Sequence, residues 1–218
     1  MADLFETLSV LILFSAFAVM ASKRISTAVK SYRLQSALVA LAVGIEGIDR
    51  LIHEKTPDLL LMFLLIAALK VYWIPGRLCS THAKVRAVVE KDFILNIPIL
   101  VLISSMLVVF VHFAFSGIEG ISGGPLHDRL VNSVSVVFIG LLFMISRKKA
   151  IGQIVGFLVI ENGLFVTAMF VTGGMPLVVE LGTLADVLTA VMVMGAMVFA
   201  IHDRFDSIDI EKLNHLKG

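Results

Sequence analysis

Long apolar runs separated by short polar connectors dominate the chain. Seven runs, near 4–21, 34–52, 57–75, 93–115, 129–146, 150–172 and 177–201, approach the length of about 20 residues that a bilayer-spanning helix needs. The pattern predicts an all-α integral membrane protein with seven transmembrane helices and little chain left for a soluble domain. Basic residues collect in alternate connectors: Lys23, Arg24, Lys30 and Arg33, then Arg77, Lys84, Arg86 and Lys91, then Arg147, Lys148 and Lys149, and finally Arg204, Lys212 and Lys217. These are 14 of the 18 lysines and arginines. Positive charge stays on the cytoplasmic side of such proteins, which predicts an outside N-terminus, a cytoplasmic C-terminus and a multi-pass protein of the inner (cytoplasmic) membrane. Asp3 and Glu6 precede the first run and Lys23 and Arg24 follow it, the reverse of a signal peptide, so that run is expected to stay in the mature protein.

Polar residues inside the runs are the candidates for chemistry. Glu161 lies between Ile151 and Thr172, about 15 Å from either end at helical rise. An ionised group at that depth costs roughly 2.5–3.5 kcal/mol on insertion scales, so it is expected to face protein or water and to act. A protonated glutamic acid that only locks two helices together is the alternative. Lys70, in the third run, sits roughly 10 Å from its inner end, where it either snorkels to the interface or takes part in function. Glu46 and Arg50 are four apart on one helical face and are expected to pair. Glu180 stands near the mouth of the seventh run and Asp186 deeper, on a different face. Glu161, Asp186, Lys70, Glu180 and Glu46 therefore form the set of proton-translocation candidates.

Other residues read as structure. Gly152 and Gly156 make a small-xxx-small pair, and Asn132, Ser133 and Ser135 a polar patch suited to interhelical hydrogen bonds. Pro98 is tolerated if it falls in a first helical turn. The glycine-rich Ser116–Pro125 stretch has no adjoining phosphate-loop lysine and reads as a connector.

Composition narrows the function further. A hydrophobic share of 58 % exceeds the roughly 45–50 % of soluble domains, and mean hydropathy is +0.98. A net charge of +1, without an aromatic-interleaved basic patch, gives no reason to expect nucleic acid. Cys79 is the only cysteine, which excludes an internal disulfide and a thiolate-held iron–sulfur cluster or structural zinc. No metal site is expected. The six histidines show no i,i+4 pair. Only His112 lies well inside a run, where it is expected to be a hydrogen-bonded packing residue rather than a haem ligand.

Three blocks, Lys30-Ser-Tyr-Arg-Leu34, Val159-Ile-Glu-Asn-Gly163 and Glu180-Leu-Gly-Thr-Leu-Ala-Asp186, occur in an order and spacing that resembles component E of hydrogenase-4-type, energy-converting membrane hydrogenases. The last three spans are similar to the small subunit K of respiratory complex I and to its counterpart in multisubunit cation/proton antiporters. The resemblance implies two regions: 1–128, with four membrane helices, and 129–218, a three-helix subunit K-like module with a cytoplasmic tail. It implies a non-catalytic subunit without a cofactor of its own, in a complex whose partner subunits carry a nickel–iron centre and iron–sulfur clusters. Its neighbours would be antiporter-like membrane subunits and the lipid bilayer. Glu161 falls where the family places a membrane glutamate of its hydrophilic proton axis. Asp186 is the acid nearest to the second such position, displaced by about two residues. A subunit of a cation/proton antiporter without any hydrogenase, and a purely structural clamp, are the rival readings.

Overall fold

A computed structural model describes residues 2–53, 58–76, 78, 96–118, 124–147 and 150–172, together with Val191 and Gly195. Its elements are helical: α1 (Ala2–Met20), α2 (Ile25–His53), α3 (Asp58–Ile66), which runs on as a π-helical stretch (Ala67–Trp73), α4 (Ile97–Ser116), α5 (Pro125–Ser146) and α6 (Ala150–Thr172). Four segments, Asp3–Met20, Ile97–Ser116, Leu126–Ser146 and Ile151–Thr172, are long and apolar enough to cross a bilayer, so the chain is a helical, multi-pass membrane protein. The seventh run, Glu180 and Asp186 included, lies outside the described residues but for Val191 and Gly195.

The helices start and stop for local reasons. Pro98 falls in the first turn of α4, as expected, and Pro125 opens α5, both positions where a missing backbone N–H is harmless. α2 begins at Ile25 rather than near 34 and has 29 residues. At helical rise it is about 43 Å long, the thickness of a bilayer with its headgroups. Lys30 and Arg33 are thus helical residues rather than loop residues. The boundary expected at 128/129 falls in the first turn of α5.

The π-helical stretch has a physical reason next to it in Pro75. That residue cannot donate to the carbonyl four positions earlier, and its ring crowds that carbonyl. Wider turns shift the bonding register, and the Ile74 amide donates to the Leu69 carbonyl, five residues back.

α1, α2, α6 and α5 pack in a ring, each against the next, with α3 outside α2 and α4 outside α5 and α1. α1 buries Phe5, Leu8, Ile12, Ala16, Val19 and Met20, a helical stripe. Its other side exposes Leu4, Leu11 and Phe14, and α4 exposes Leu102, Met106, Phe110 and Phe113. Exposed apolar faces of this kind suit a lipid environment.

The α5–α6 contact is the most extensive, and glycine makes it close. A Cβ on Gly156 would stand 2.7 Å from the Met144 backbone, one on Gly163 2.9 Å from the Val137 nitrogen, and one on Gly140 2.8 Å from the Ile160 nitrogen. Gly152, the other half of the expected pair, packs instead against the side-chain stem of Arg147. Hydrogen bonds tie α5 to both neighbours: Thr167 Oγ1 on α6 donates to Ser133 Oγ (2.9 Å), and Asn132 Nδ2 donates to Ser9 Oγ on α1 (2.9 Å). Asn132 and Ser133 are thus the interhelical glue that their residue types suggested, whereas the buried Ser135 hydroxyl has no hydrogen-bond partner among the described residues.

The two ends of the bundle are distinct. At one, the Arg147 side chain, 2 % exposed, lies over the Phe143 ring (4.2 Å to its centroid) and donates to the Ser22 carbonyl (2.6 Å). At the other, Glu6, His112 and Asp128 line one cavity, and Phe5, Glu46, Arg129 and Phe170 another. Residue numbers at each end show that successive helices alternate in direction.

Candidate functional site

The polar centre lies midway along the ring of helices. Glu161 and Asn162 come from the middle of α6, Tyr32, Gln35 and Ser36 from one face of α2, and Lys70 from the π-helical stretch. Tyr32, Gln35 and Ser36 are spaced i, i+3, i+4, so all three point the same way, and each is fully buried.

Lys70 Nζ donates to Glu161 Oε1 and to Asn162 Oδ1 at 3.4 Å. The Asn162 amide continues the chain, donating to Ser36 Oγ at 3.0 Å and to Gln35 Oε1 at 3.4 Å. Gln35 Nε2 in turn donates to the Ile12 carbonyl of α1 at 3.4 Å. The network therefore joins α1, α2, α6 and the π-helical stretch. Lys70 is 1 % exposed and Glu161 9 %, and the ammonium also lies 5.6 Å from the centroid of the Phe165 ring, where the ring face attracts it.

Each charge is thus matched, but two oxygens are not. Glu161 Oε2 and the Tyr32 hydroxyl are buried and make no hydrogen bond to a described residue. Buried polar atoms are normally bonded, and an orphan in a native site calls for an explanation. Chemically, the arrangement holds one carboxylate oxygen against a cation and leaves the other available to accept a proton.

The expected residues divide as follows. Glu161 is central. Lys70 does not snorkel: it is buried and turned to Glu161, because an unpaired cation there would cost more than the ordered pair. Glu46 pairs with Arg50 as expected, at 3.7 Å and partly exposed, but stands about 15 Å along α2 from Gln35 and Ser36, beside a cavity of about 140 Å³ lined by Phe5, Arg129, Met169 and Phe170. Glu180 and Asp186 lie outside the described residues. Reading the residues alone missed Tyr32, Gln35, Ser36 and Asn162. Their signal was present in the i, i+3, i+4 polar face of α2, which a helix started at 34 cuts in half. His112, expected to be a hydrogen-bonded packing residue, meets His127 of α5, its Nδ1 3.4 Å from His127 Nε2.

Comparison with known proteins places the chain in a lineage. The chain is 30 % identical over 181 residues to the uncharacterized protein Rv0085 of Mycobacterium tuberculosis, covering 83 % of this chain and 80 % of that one. It is 23 % identical over 149 residues to hydrogenase-4 component E of Escherichia coli K12, covering 68 % and 69 % of the two chains, and equally to that of Shigella flexneri. No family model matches, and no solved structure does. The chain belongs to the same family as the mycobacterial protein Rv0085 and is distantly homologous to hydrogenase-4 component E.

Proposed function

We propose that this member of the Rv0085 family is a membrane subunit of a hydrogenase-4-type, complex I-like oxidoreductase complex, and that it passes protons through the buried Lys70–Glu161 centre. The homology to hydrogenase-4 component E supports the kind of complex, and the apolar helices support the setting. In this reading the chain carries no redox centre. A nickel–iron site and iron–sulfur clusters reside on partner subunits, and this chain links that redox arm to antiporter-like subunits. It would have seven spans in the inner membrane, with a subunit K-like module from 129 to 218 and Asp186 in its last helix.

The observation that carries the proton role is the unequal carboxylate. Glu161 Oε1 is held by Lys70 while Oε2, in the middle of the membrane, has no hydrogen-bond donor among the described residues. Protonation of Oε2 weakens the pull on Lys70, since a neighbouring opposite charge favours the charged form of each partner. Through Asn162 a change at Lys70 reaches Gln35 and Ser36 on α2. Proton uptake is thereby tied to a rearrangement between helices.

Glu161→Gln separates this role from a structural one, because glutamine keeps the shape and hydrogen-bonding capacity of the protonated acid but releases no proton. In the complex purified through this chain, we expect normal assembly, nickel and iron–sulfur content on the partners, and strongly reduced proton translocation per electron, with Asp186→Asn milder. Wild-type translocation in a fully assembled Glu161→Gln complex would sink the relay. A second reading, a helix lock, has its own support in the direct Lys70–Glu161 bond, and it would then stand. A complex containing antiporter-type subunits but no nickel or iron–sulfur cluster would point to a cation/proton antiporter instead.

A further inference from the structure

We propose that His112, His127 and Asp128 form a divalent transition-metal site at the end of the bundle where α4 finishes and α5 begins. His112 lies in the last turn and a half of α4, and His127 and Asp128 lie in the first turn of α5. One donor atom from each residue falls within 4.8 Å of the others. Nothing in the proton role of Glu161 requires this site, which lies on α4 and α5 rather than on the helix that carries Glu161.

The spacing of the two imidazoles is informative. His127 Nε2 stands 3.4 Å from His112 Nδ1, the long limit of a nitrogen hydrogen bond and equally a spacing that two nitrogens bound to one ion adopt. Zinc–nitrogen bonds of about 2.0–2.1 Å in a tetrahedral site put two ligand nitrogens about 3.3 Å apart. The rings meet edge to face, with centroids 5.1 Å apart and planes at 80°. They are therefore not stacked, and a nitrogen edge is what each brings to the other.

His127 is 5 % exposed, and its other ring nitrogen, Nδ1, is buried without a hydrogen-bond partner among the described residues. The meeting with His112 is thus the polar contact that orients a buried ring. Asp128 adds a carboxylate, and Glu6 of α1 lines the same cavity, about 470 Å³, together with His112 and Asp128. The cavity leaves a further coordination position open to water or a small anion. Two imidazoles and a carboxylate suit zinc, cobalt, nickel or copper rather than magnesium or calcium.

Zinc and cobalt titrations of the full-length chain test this. The protein is purified in detergent through a histidine-free tag, in a Cys79→Ser background, and freed of metal with chelator. We expect one saturable Zn²⁺ per chain at micromolar concentration or below, and tetrahedral-type absorption when Co²⁺ replaces it. Affinity should fall at least about tenfold, the lower bound for loss even of a supporting ligand partner, in both His112→Gln and Asp128→Asn. Both side chains are exposed, so unchanged helical circular dichroism should accompany the loss. Failure of the parent to bind stoichiometric zinc, or equal zinc affinity in His112→Gln, overturns the site and leaves the two rings as a simple contact.

Discussion

Lys70 and Glu161 neutralise each other between apolar helices, and the energetics of such a pair are lopsided. Removing one partner of a buried pair strands the other and costs about 3–5 kcal/mol, whereas replacing both with apolar groups of similar volume is often neutral or better. We therefore expect Lys70→Met to destabilise the chain by about 3–5 kcal/mol in detergent unfolding. Lys70→Met combined with Glu161→Leu should recover most of that loss. A double variant as unstable as the single one would mean that the Asn162, Gln35 and Ser36 bonds, rather than the charges, hold the centre together. The two outcomes also bear on function: a pair whose removal is harmless to the fold has to be explained by what it does.

Between helices, backbone contact sets the tolerance. Gly156→Ala would place a Cβ 2.7 Å from Met144 backbone atoms, a clash with no flexible side chain to yield. We expect it to cost about 1–3 kcal/mol, as overpacking does, while Gly76→Ala, with nothing within 4 Å, should be neutral or stabilising by a few tenths to about 1 kcal/mol. Equal effects of the two substitutions in thermal unfolding would refute the seam. How far the elements were legible in the sequence follows the same physics. α1, α4, α5 and α6 are legible because apolar runs alone define them; of the Gly152 and Gly156 pair only Gly156 meets a facing backbone, and its companions Gly140 and Gly163 carry no such spacing. The start of α2 is not legible, since Gln35 and Ser36 are buried by hydrogen bonding rather than by hydropathy. The π-helical stretch is not either: Ala67-Ala-Leu-Lys-Val-Tyr-Trp73 is ordinary helical sequence. Glu161 stood out as a charge among apolar neighbours, but its partner is 91 residues away. The meeting of His112 with His127 is not legible, because a search for i,i+4 pairs does not see from one helix to the next.

At the scale of the whole molecule, the two bundle ends give the orientation a direct test. Lys23 and Ser116 are exposed near opposite ends, and the loops rich in basic residues belong on the cytoplasmic side. In a Cys79→Ser background we expect Ser116→Cys to react with an impermeant maleimide from outside whole cells, and Lys23→Cys to react only after permeabilisation. The reverse labelling would overturn the orientation. The glycine seam also has a mechanical meaning. Where backbones of α5 and α6 touch through Gly140, Gly156 and Gly163, there is no layer of side chains to compress or re-pack, so the two helices form one stiff plate that carries Glu161 and Asn162 as fixed fixtures. Lys70 reaches them on a compliant arm, a wide-turned helix on the other side of the network. In the proposed relay, a change in the partner of Glu161 is a movement of that arm against the plate, and the arm is packed against both α2 and α3.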